Sequence, residues 1–147
     1  MIKFCLSSAL ILCILLSITS CKKEIDLPSD SLKQIYGTWN LVQSIGLHGA
    51  GEVPAAGGYM VTLNFNSVGE YGRFRDSIQQ AKGTFTISQE TDSLGDAYVL
   101  HTQTKYRYNG TEYKKEEHQI LTFGNNDTLF LNSLSATGLN YIYTKIQ

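Results

Sequence analysis

Apolar and polar residues alternate along most of the chain, and this period of two is typical of β-strands that bury one face. The pattern is clearest over 59–66, where Tyr59, Val61, Leu63 and Phe65 share one face. The alternating segments predict eight strands, which cover 38–45, 59–66, 70–75, 83–88, 97–108, 111–123, 128–132 and 140–146.

Most connections between these predicted strands are short and rich in turn-forming residues. Asn109 and Gly110 separate two long strands and form the strongest hairpin signal, because both residues tolerate positive φ. A helical turn is predicted over 31–36, capped by Ser29 or Asp30, and no helical crossover for parallel strands follows it. The sequence therefore predicts an all-β fold, an eight-stranded antiparallel up-and-down barrel with a short N-terminal helical turn.

The N-terminal segment has a different character, with one basic residue, Lys3, an apolar run over 10–16, and small polar residues after it. This layout is typical of a secretory signal, and the apolar run is too short to span a bilayer. The segment from Ile18 to Cys21 resembles the lipobox of bacterial lipoproteins. The resemblance implies that residues 1–20 are removed and that Cys21 is acylated as the mature N-terminus.

Cysteine usage agrees with a lipid anchor. Cys5 and Cys13 lie inside the predicted signal, so the mature chain keeps only Cys21 and forms no internal disulfide. The alternative is an ordinary secretory signal that leaves a free thiol. Two or more acyl chains hold a protein stably on a membrane, whereas one holds it only marginally. The tri-acylated cysteine of bacterial lipoproteins therefore implies a lasting tether.

The net charge limits the classes of partner that are expected for the mature chain. The formal net charge is −1, and removal of Lys3 with the signal changes it to −2. Such a chain lacks the basic stripe of a nucleic-acid-binding protein. Residues 22–30 are charged or turn-forming and are expected to be a flexible tether, or an export tag, before a domain at 31–147. Lys22 after the acylated cysteine implies, by the sorting rule of lipoproteins, lipid-anchored delivery to the outer membrane.

A sharper motif lies at the start of the first predicted strand. Gly37, Thr38 and Trp39 follow the predicted helical turn and are similar to the Gly-x-Trp signature of lipocalins. The chain over about 32–147 resembles the lipocalin-like domain of bacterial outer-membrane lipoproteins. The resemblance implies a barrel closed at one end, with Trp39 as a core residue there. Lipocalins often lay an arginine across that tryptophan, and here the only cation in place is Lys145.

The segment 46–58 is the longest irregular stretch, and it joins the first two predicted strands, where lipocalins keep a large loop over the open mouth of the barrel. It is expected to be a mobile lid or, alternatively, a connector without a task. Tyr59 follows it on the apolar face and is the best candidate for a pocket residue, because tyrosine combines apolar surface with a polar tip. The predicted ligand-binding wall comprises Tyr59, Leu63, Phe65, Phe74, Phe85 and Ile87.

The predicted function is a binding module for a small, mostly apolar ligand, which is buried in the barrel without covalent chemistry or a cofactor. The alternative is a barrel filled by its own side chains, an accessory lipoprotein with a protein partner in the cell envelope. No catalytic constellation stands out, so an enzyme is not expected. His101 and His118 face each other across the predicted hairpin, but two ligands do not complete a zinc site, and His48 lies elsewhere, so no metal is expected.

Two groups of charged residues and the tyrosines near the hairpin turn are predicted to lie on the outside of the barrel. Arg73 and Arg75 share one face, opposite Phe74, and are expected to point outward; the alternative is a fork that binds a carboxylate. The charged run at 114–117 is expected to be a solvated cluster. The aromatic residues beside the predicted hairpin turn are expected to decorate its exposed surface; they are Tyr106, Tyr108 and Tyr113.

Overall fold

The computed structural model of the protein describes residues 23–46, 51, 53–92, 95–108, 111–125, 127–135 and 138–146. Eight antiparallel strands form a closed barrel, in which each strand pairs with its neighbours along the chain and the last strand pairs with the first. The strands are β1 (Gly37–Ile45), β2 (Val61–Phe65), β3 (Glu70–Arg75), β4 (Ile78–Asp92), β5 (Gly95–Tyr108), β6 (Thr111–Gly124), β7 (Thr128–Ser133) and β8 (Asn140–Lys145). The predicted fold class is confirmed.

The two ends of the barrel carry different short helices. The closed end is the one where the chain enters β1, and it is covered by a 3₁₀ helix, η1 (Asp30–Ile35), which buries Leu32 and Ile35. The connections from β2 to β3, β4 to β5 and β6 to β7 lie at this end. The opposite, open end carries the other four connections, and a second 3₁₀ helix, η2 (Pro54–Gly57), lies in the one between β1 and β2.

Trp39 anchors the closed end. Its side chain is 1% exposed, and its indole N–H donates a hydrogen bond to the Ile35 carbonyl over 2.7 Å. The Lys145 ammonium lies 5.2 Å from the centre of the indole ring and donates to the Gln34 carbonyl at 2.8 Å. Lysine therefore covers the tryptophan of this barrel and holds the C-terminal end of η1 at the same time.

The connection between β3 and β4 differs from the prediction. β4 begins at Ile78 and not at residue 83, because a two-residue turn of Asp76 and Ser77, with φ of 48° and 68°, links it tightly to β3. The Asp76 carboxylate accepts the Met60 N–H at 2.8 Å, which fixes the turn against the start of β2. Few apolar residues precede position 83 in β4, so alternation alone did not reveal the start of this strand.

The segment before η1 is docked on the closed end. The Ile25 N–H donates to the Ser67 carbonyl at 2.9 Å, and the side chains of Ile25 and Leu27 pack against the core. Gly69 in the β2–β3 turn has φ of 78°, and a Cβ there would lie 2.5 Å from Ile25 Cγ2. The predicted flexible tether over 22–30 is therefore attached to the barrel from Ile25 onward.

Candidate ligand cavity at the open end

A cavity of about 240 Å³ occupies the barrel interior on the side of the open end. Its floor is apolar and rests on the core that surrounds Trp39. The buried floor residues come from four strands and are Leu63, Phe65, Leu100, Leu131 and Tyr143. Two of them, Leu63 and Phe65, belong to the predicted ligand-binding wall.

The register of β2, β3 and β4 decides which side chains of β3 reach this cavity. Leu63 lies opposite Arg73, and Arg73 lies opposite Ala81, so all three point into the barrel. Phe74 lies opposite Thr62 and points the other way, into a groove on the outer surface. The predictions of an outward Arg73 and an inward Phe74 are therefore wrong. They assumed that the apolar residue of β3 takes the inner face, whereas the pairing with β2 puts the arginine there.

The other predicted wall residues lie beside the cavity. Phe85 and Ile87 are buried in the core, 2% and 6% exposed, and do not line the cavity. Tyr59 is partly buried at the edge of the core, beneath the Arg75 guanidinium, which lies 3.9 Å from its ring centre. The prediction of Tyr59 as a cavity residue is therefore not met.

Polar side chains of β5 and β6 form one wall of the cavity. Thr102 lies opposite Glu117, and Thr104 lies opposite Lys115, so these four side chains share the inner face. The Lys115 ammonium and the Glu117 carboxylate are 2.8 Å apart, and this hydrogen bond raises the pKa of Lys115. The predicted solvated cluster at 114–117 is thus divided, with two of its charges facing the cavity and two facing outward.

Tyrosines complete the upper wall. The Tyr71 hydroxyl is hydrogen-bonded to the Thr104 hydroxyl, and burial raises the pKa of Tyr71. Tyr106 lines the cavity and stacks on Tyr113, with ring centres 5.5 Å apart and planes at 17°. These two rings are 43% and 42% exposed, so they stand at the mouth and do not merely decorate the outside of the hairpin. The side chain of Tyr108 and the turn residues 109–110 lie outside the described part of the chain.

The charges of the cavity do not cancel. Lys115 and Glu117 neutralise each other, but the Arg73 guanidinium has neither an ion pair nor a hydrogen bond with any other described residue. Among the described residues that line the cavity, Arg73 and Lys115 against Glu117 leave one net positive charge.

The lid predicted over 46–58 is described in part. η2 lies against β1 at the open end, with Pro54 buried and Val53 46% exposed. Residues 47–50 and 52, which include His48, lie outside the described residues.

The two histidines of the β5–β6 hairpin are on the outer surface. His101 lies opposite His118, as the hairpin register predicts, and their Nδ1 atoms are 2.6 Å apart. The Ser88 hydroxyl is 2.6 Å from Nε2 of His101. Among the residues that the structure describes, no three His, Cys, Asp or Glu side chains are grouped so as to hold a metal ion.

The charged and polar wall was missed by sequence reasoning, although a signal for it exists. The hairpin register pairs Leu100 with Gln119 and Tyr98 with Leu121. Leu100 and Leu121 are apolar and mark the inner face, so every second residue from Leu121 towards the hairpin turn must also face inward. That rule places Lys115 and Glu117 inside the barrel.

No protein-family model, curated protein or solved structure matches the chain. Within the ranges that the structure describes, no helix is long and apolar enough to cross a membrane.

Proposed function

We propose that this protein is a lipocalin-like lipoprotein of the bacterial outer membrane that binds a small amphipathic molecule in its barrel. The cavity at the open end carries this proposal, because an apolar floor beneath convergent polar groups is the usual composition of a small-molecule site. The polar wall changes the expectation from a mostly apolar ligand to one with a distinct polar end.

The size of the cavity limits the ligand. Its volume of about 240 Å³ lies below the range of about 300–1,000 Å³ that is common for ligand pockets. The ligand is therefore small, and a complete membrane lipid does not fit. The cavity also argues against the alternative of a barrel filled by its own side chains, because small eight-stranded barrels either fill their interior or keep space for one small ligand.

Binding requires no covalent step in this proposal. Burial of the apolar part of the ligand on Leu63 and Leu131 supplies affinity, and the polar wall supplies orientation. We assign no catalytic residue and no cofactor. A protein partner in the envelope belongs to the alternative function and would be sought if the cavity takes no ligand.

The lipid anchor is part of the proposal and has a separate test. The layout of residues 1–20 and the lipobox-like segment before Cys21 support acylation at Cys21. The wild-type chain, expressed in a double-membrane bacterium with an alkyne-labelled fatty acid, should carry the label and sediment with outer membranes. Cys21→Ser should remove the label and release the protein. A labelled Cys21→Ser variant would contradict the proposal.

Ligand binding is tested by native mass spectrometry. Residues 22–147 contain all eight strands of the closed barrel, and their folding is first checked by circular dichroism. After exposure to envelope extracts, the protein should gain a reproducible mass of small-molecule size. If the folded barrel gains no mass from any extract, the binding function is rejected in favour of a protein-interaction role.

A further inference from the structure

We propose that the ligand carries an anionic group, a carboxylate in the simplest case, which the Arg73 guanidinium holds while an apolar tail lies on the cavity floor. This inference rests on the proposed small-molecule function and specifies the ligand class. The inference is based on Arg73, which is partly exposed and faces the cavity without a counter-ion among the described residues.

The other charges of the cavity make Arg73 the anchor. The Lys115 ammonium already has the Glu117 carboxylate at 2.8 Å, so an incoming anion would have to displace an existing partner to use it. Arg73 has no such partner to lose. A guanidinium also presents a planar fork of N–H donors that matches the two oxygens of a carboxylate, which gives short, charge-assisted hydrogen bonds.

The position of Arg73 relative to the floor sets the orientation of the ligand. Leu63 lies directly opposite Arg73 on β2, and Phe65 lies one inward position closer to the closed end. An anion at Arg73 therefore has apolar side chains beneath it and the open mouth above it. A short-chain amphiphile fits this order of groups, with its tail towards the core and its charged head near solvent.

The test uses three probes of equal chain length that differ in the charge of the head group: octanoate, octanol and octylammonium. Binding to residues 22–147 is measured by isothermal titration calorimetry at neutral pH. Octanoate should bind on the order of tenfold or more tightly than octanol, because hydrogen bonds to charged groups are about twice as strong as neutral ones. Octylammonium should bind most weakly, since the cavity has a net positive charge.

Arg73→Gln supplies the decisive variant. It should lower the octanoate affinity to about that of octanol, so that the charged and the neutral probe bind equally tightly. Lys105→Gln is the matched control, because it removes one positive charge from an exposed residue of the outer groove, and it should keep the octanoate preference. An unchanged preference in Arg73→Gln would overturn the inference.

The binding results distinguish a failure of the anion specificity from a failure of the proposed small-molecule binding. If all three probes bind wild-type protein with equal affinity, the barrel binds small molecules but the anion specificity is wrong. If none of them binds to the folded barrel, the anion specificity is rejected, and the binding function is rejected with it only when the envelope extracts also add no mass.

A different observation supports a second inference. We infer that the closed end faces the membrane and that the cavity opens away from it, provided that Cys21 carries the lipid. Ile25 is fixed on the β2–β3 turn at the closed end by its backbone hydrogen bond to Ser67. Only three residues lie between Cys21 and Ile25, and the four steps from one to the other span about 14 Å in a fully extended chain.

The dimensions of the barrel make this orientation measurable. The six residues of β3 rise about 20 Å along the strand, or about 15 Å along the axis at a tilt of about 40°. The ligand would then enter from the aqueous side, not from the bilayer.

Fluorescent labels at the two ends test the orientation. Gln34→Cys labels the closed end, and Ile78→Cys labels the open end, where Ile78 is 67% exposed. The acylated protein is placed in phosphatidylethanolamine–phosphatidylglycerol vesicles that contain a head-group quencher. Quenching should be severalfold stronger at position 34. Equal or reversed quenching overturns the orientation, and failure of the wild-type chain to enter vesicles rejects the anchor itself.

Discussion

The two halves of the barrel interior are built from the same strands but have opposite chemistry. On the inner face of β6, Leu121 and Phe123 pack towards the closed end, whereas Lys115 and Glu117 line the cavity towards the open end. At the closed end Trp39 is almost completely buried, and at the open end the tyrosine rings of the mouth remain about two-fifths exposed. Along its length, one face of one strand therefore changes from packing in the core to lining the cavity.

This division has a physical basis. Close-packed apolar side chains at the closed end supply most of the free energy of folding, because each fully buried large side chain contributes about 1.5–3 kcal/mol. The polar groups at the open end keep contact with solvent or with each other, so they contribute little to stability. Substitutions at the two ends should therefore affect different measurements.

The largest effect is expected at Trp39. Trp39→Ala should lower the free energy of unfolding by about 3–5 kcal/mol, because it leaves a cavity in the core and removes the hydrogen bond to Ile35. Urea denaturation of residues 22–147 measures this change. At the open end, Tyr106→Ala should cost less than about 1 kcal/mol, since the ring is 43% exposed. Equal losses of unfolding free energy at the two positions would contradict this difference between the closed and the open end.

A substitution that fills the cavity should weaken ligand binding and leave the stability of the barrel nearly unchanged. Ala81 faces the cavity from β4, opposite Arg73. Ala81→Leu should weaken octanoate binding about tenfold or more, which corresponds to about 1.4 kcal/mol, while the unfolding free energy changes little. Calorimetry and urea denaturation measure the two quantities.

The control for this substitution lies on the same strand. Thr84 is exposed on the outer surface, so Thr84→Leu should leave binding unchanged. A loss of binding in Thr84→Leu, or a retained affinity in Ala81→Leu, would place the ligand elsewhere.

The lysine that covers Trp39 should make a smaller contribution. Lys145→Met keeps the apolar stem but removes the cation over the indole ring and the hydrogen bond to Gln34. We expect a loss of about 1 kcal/mol in unfolding free energy, with octanoate affinity unchanged. Lys145→Arg should keep most of the stability, and an equal loss in both variants would show that the cation has no role.

The smallest effect is expected from pH. Burial raises the pKa of Tyr71 above its ordinary value near 10, so the unfolded chain releases this proton first. The stabilising contribution is complete below pH 10 and is lost as the pH rises through the folded-state pKa. Tyr71→Phe should therefore show a smaller drop in unfolding free energy between pH 8 and pH 10.5. An identical drop in both proteins would contradict the assignment.

Much of the fold could be predicted from local patterns. Seven of the predicted strands lie within about two residues of those observed, because turn residues and alternation mark their ends. β4 is the exception, since its first residues are mostly polar and its turn of Asp76 and Ser77 carries no glycine. The position of Trp39 in the closed-end core could also be predicted, from the resemblance of its Gly-x-Trp motif.

The residues that line the cavity were harder to predict, because the face on which a side chain lies depends on how its strand pairs with the neighbouring strands. In β3 the residues alternate, but alternation alone does not say which face is inner. Phe74 was assigned inward on hydrophobicity, and the register with β2 reverses that assignment and brings in Arg73. For β6, the hairpin register combined with Leu121 would have indicated the inward charges.

The most direct test of the central claim is to map octanoate binding by two-dimensional amide NMR on residues 22–147. Shift changes should cluster on the inner face of the open half, at Arg73, Ala81, Thr104 and Lys115, with little change around Trp39. Saturable changes confined to the outer groove at Phe74 and Lys82, or an absence of saturable changes in the folded barrel, would contradict it.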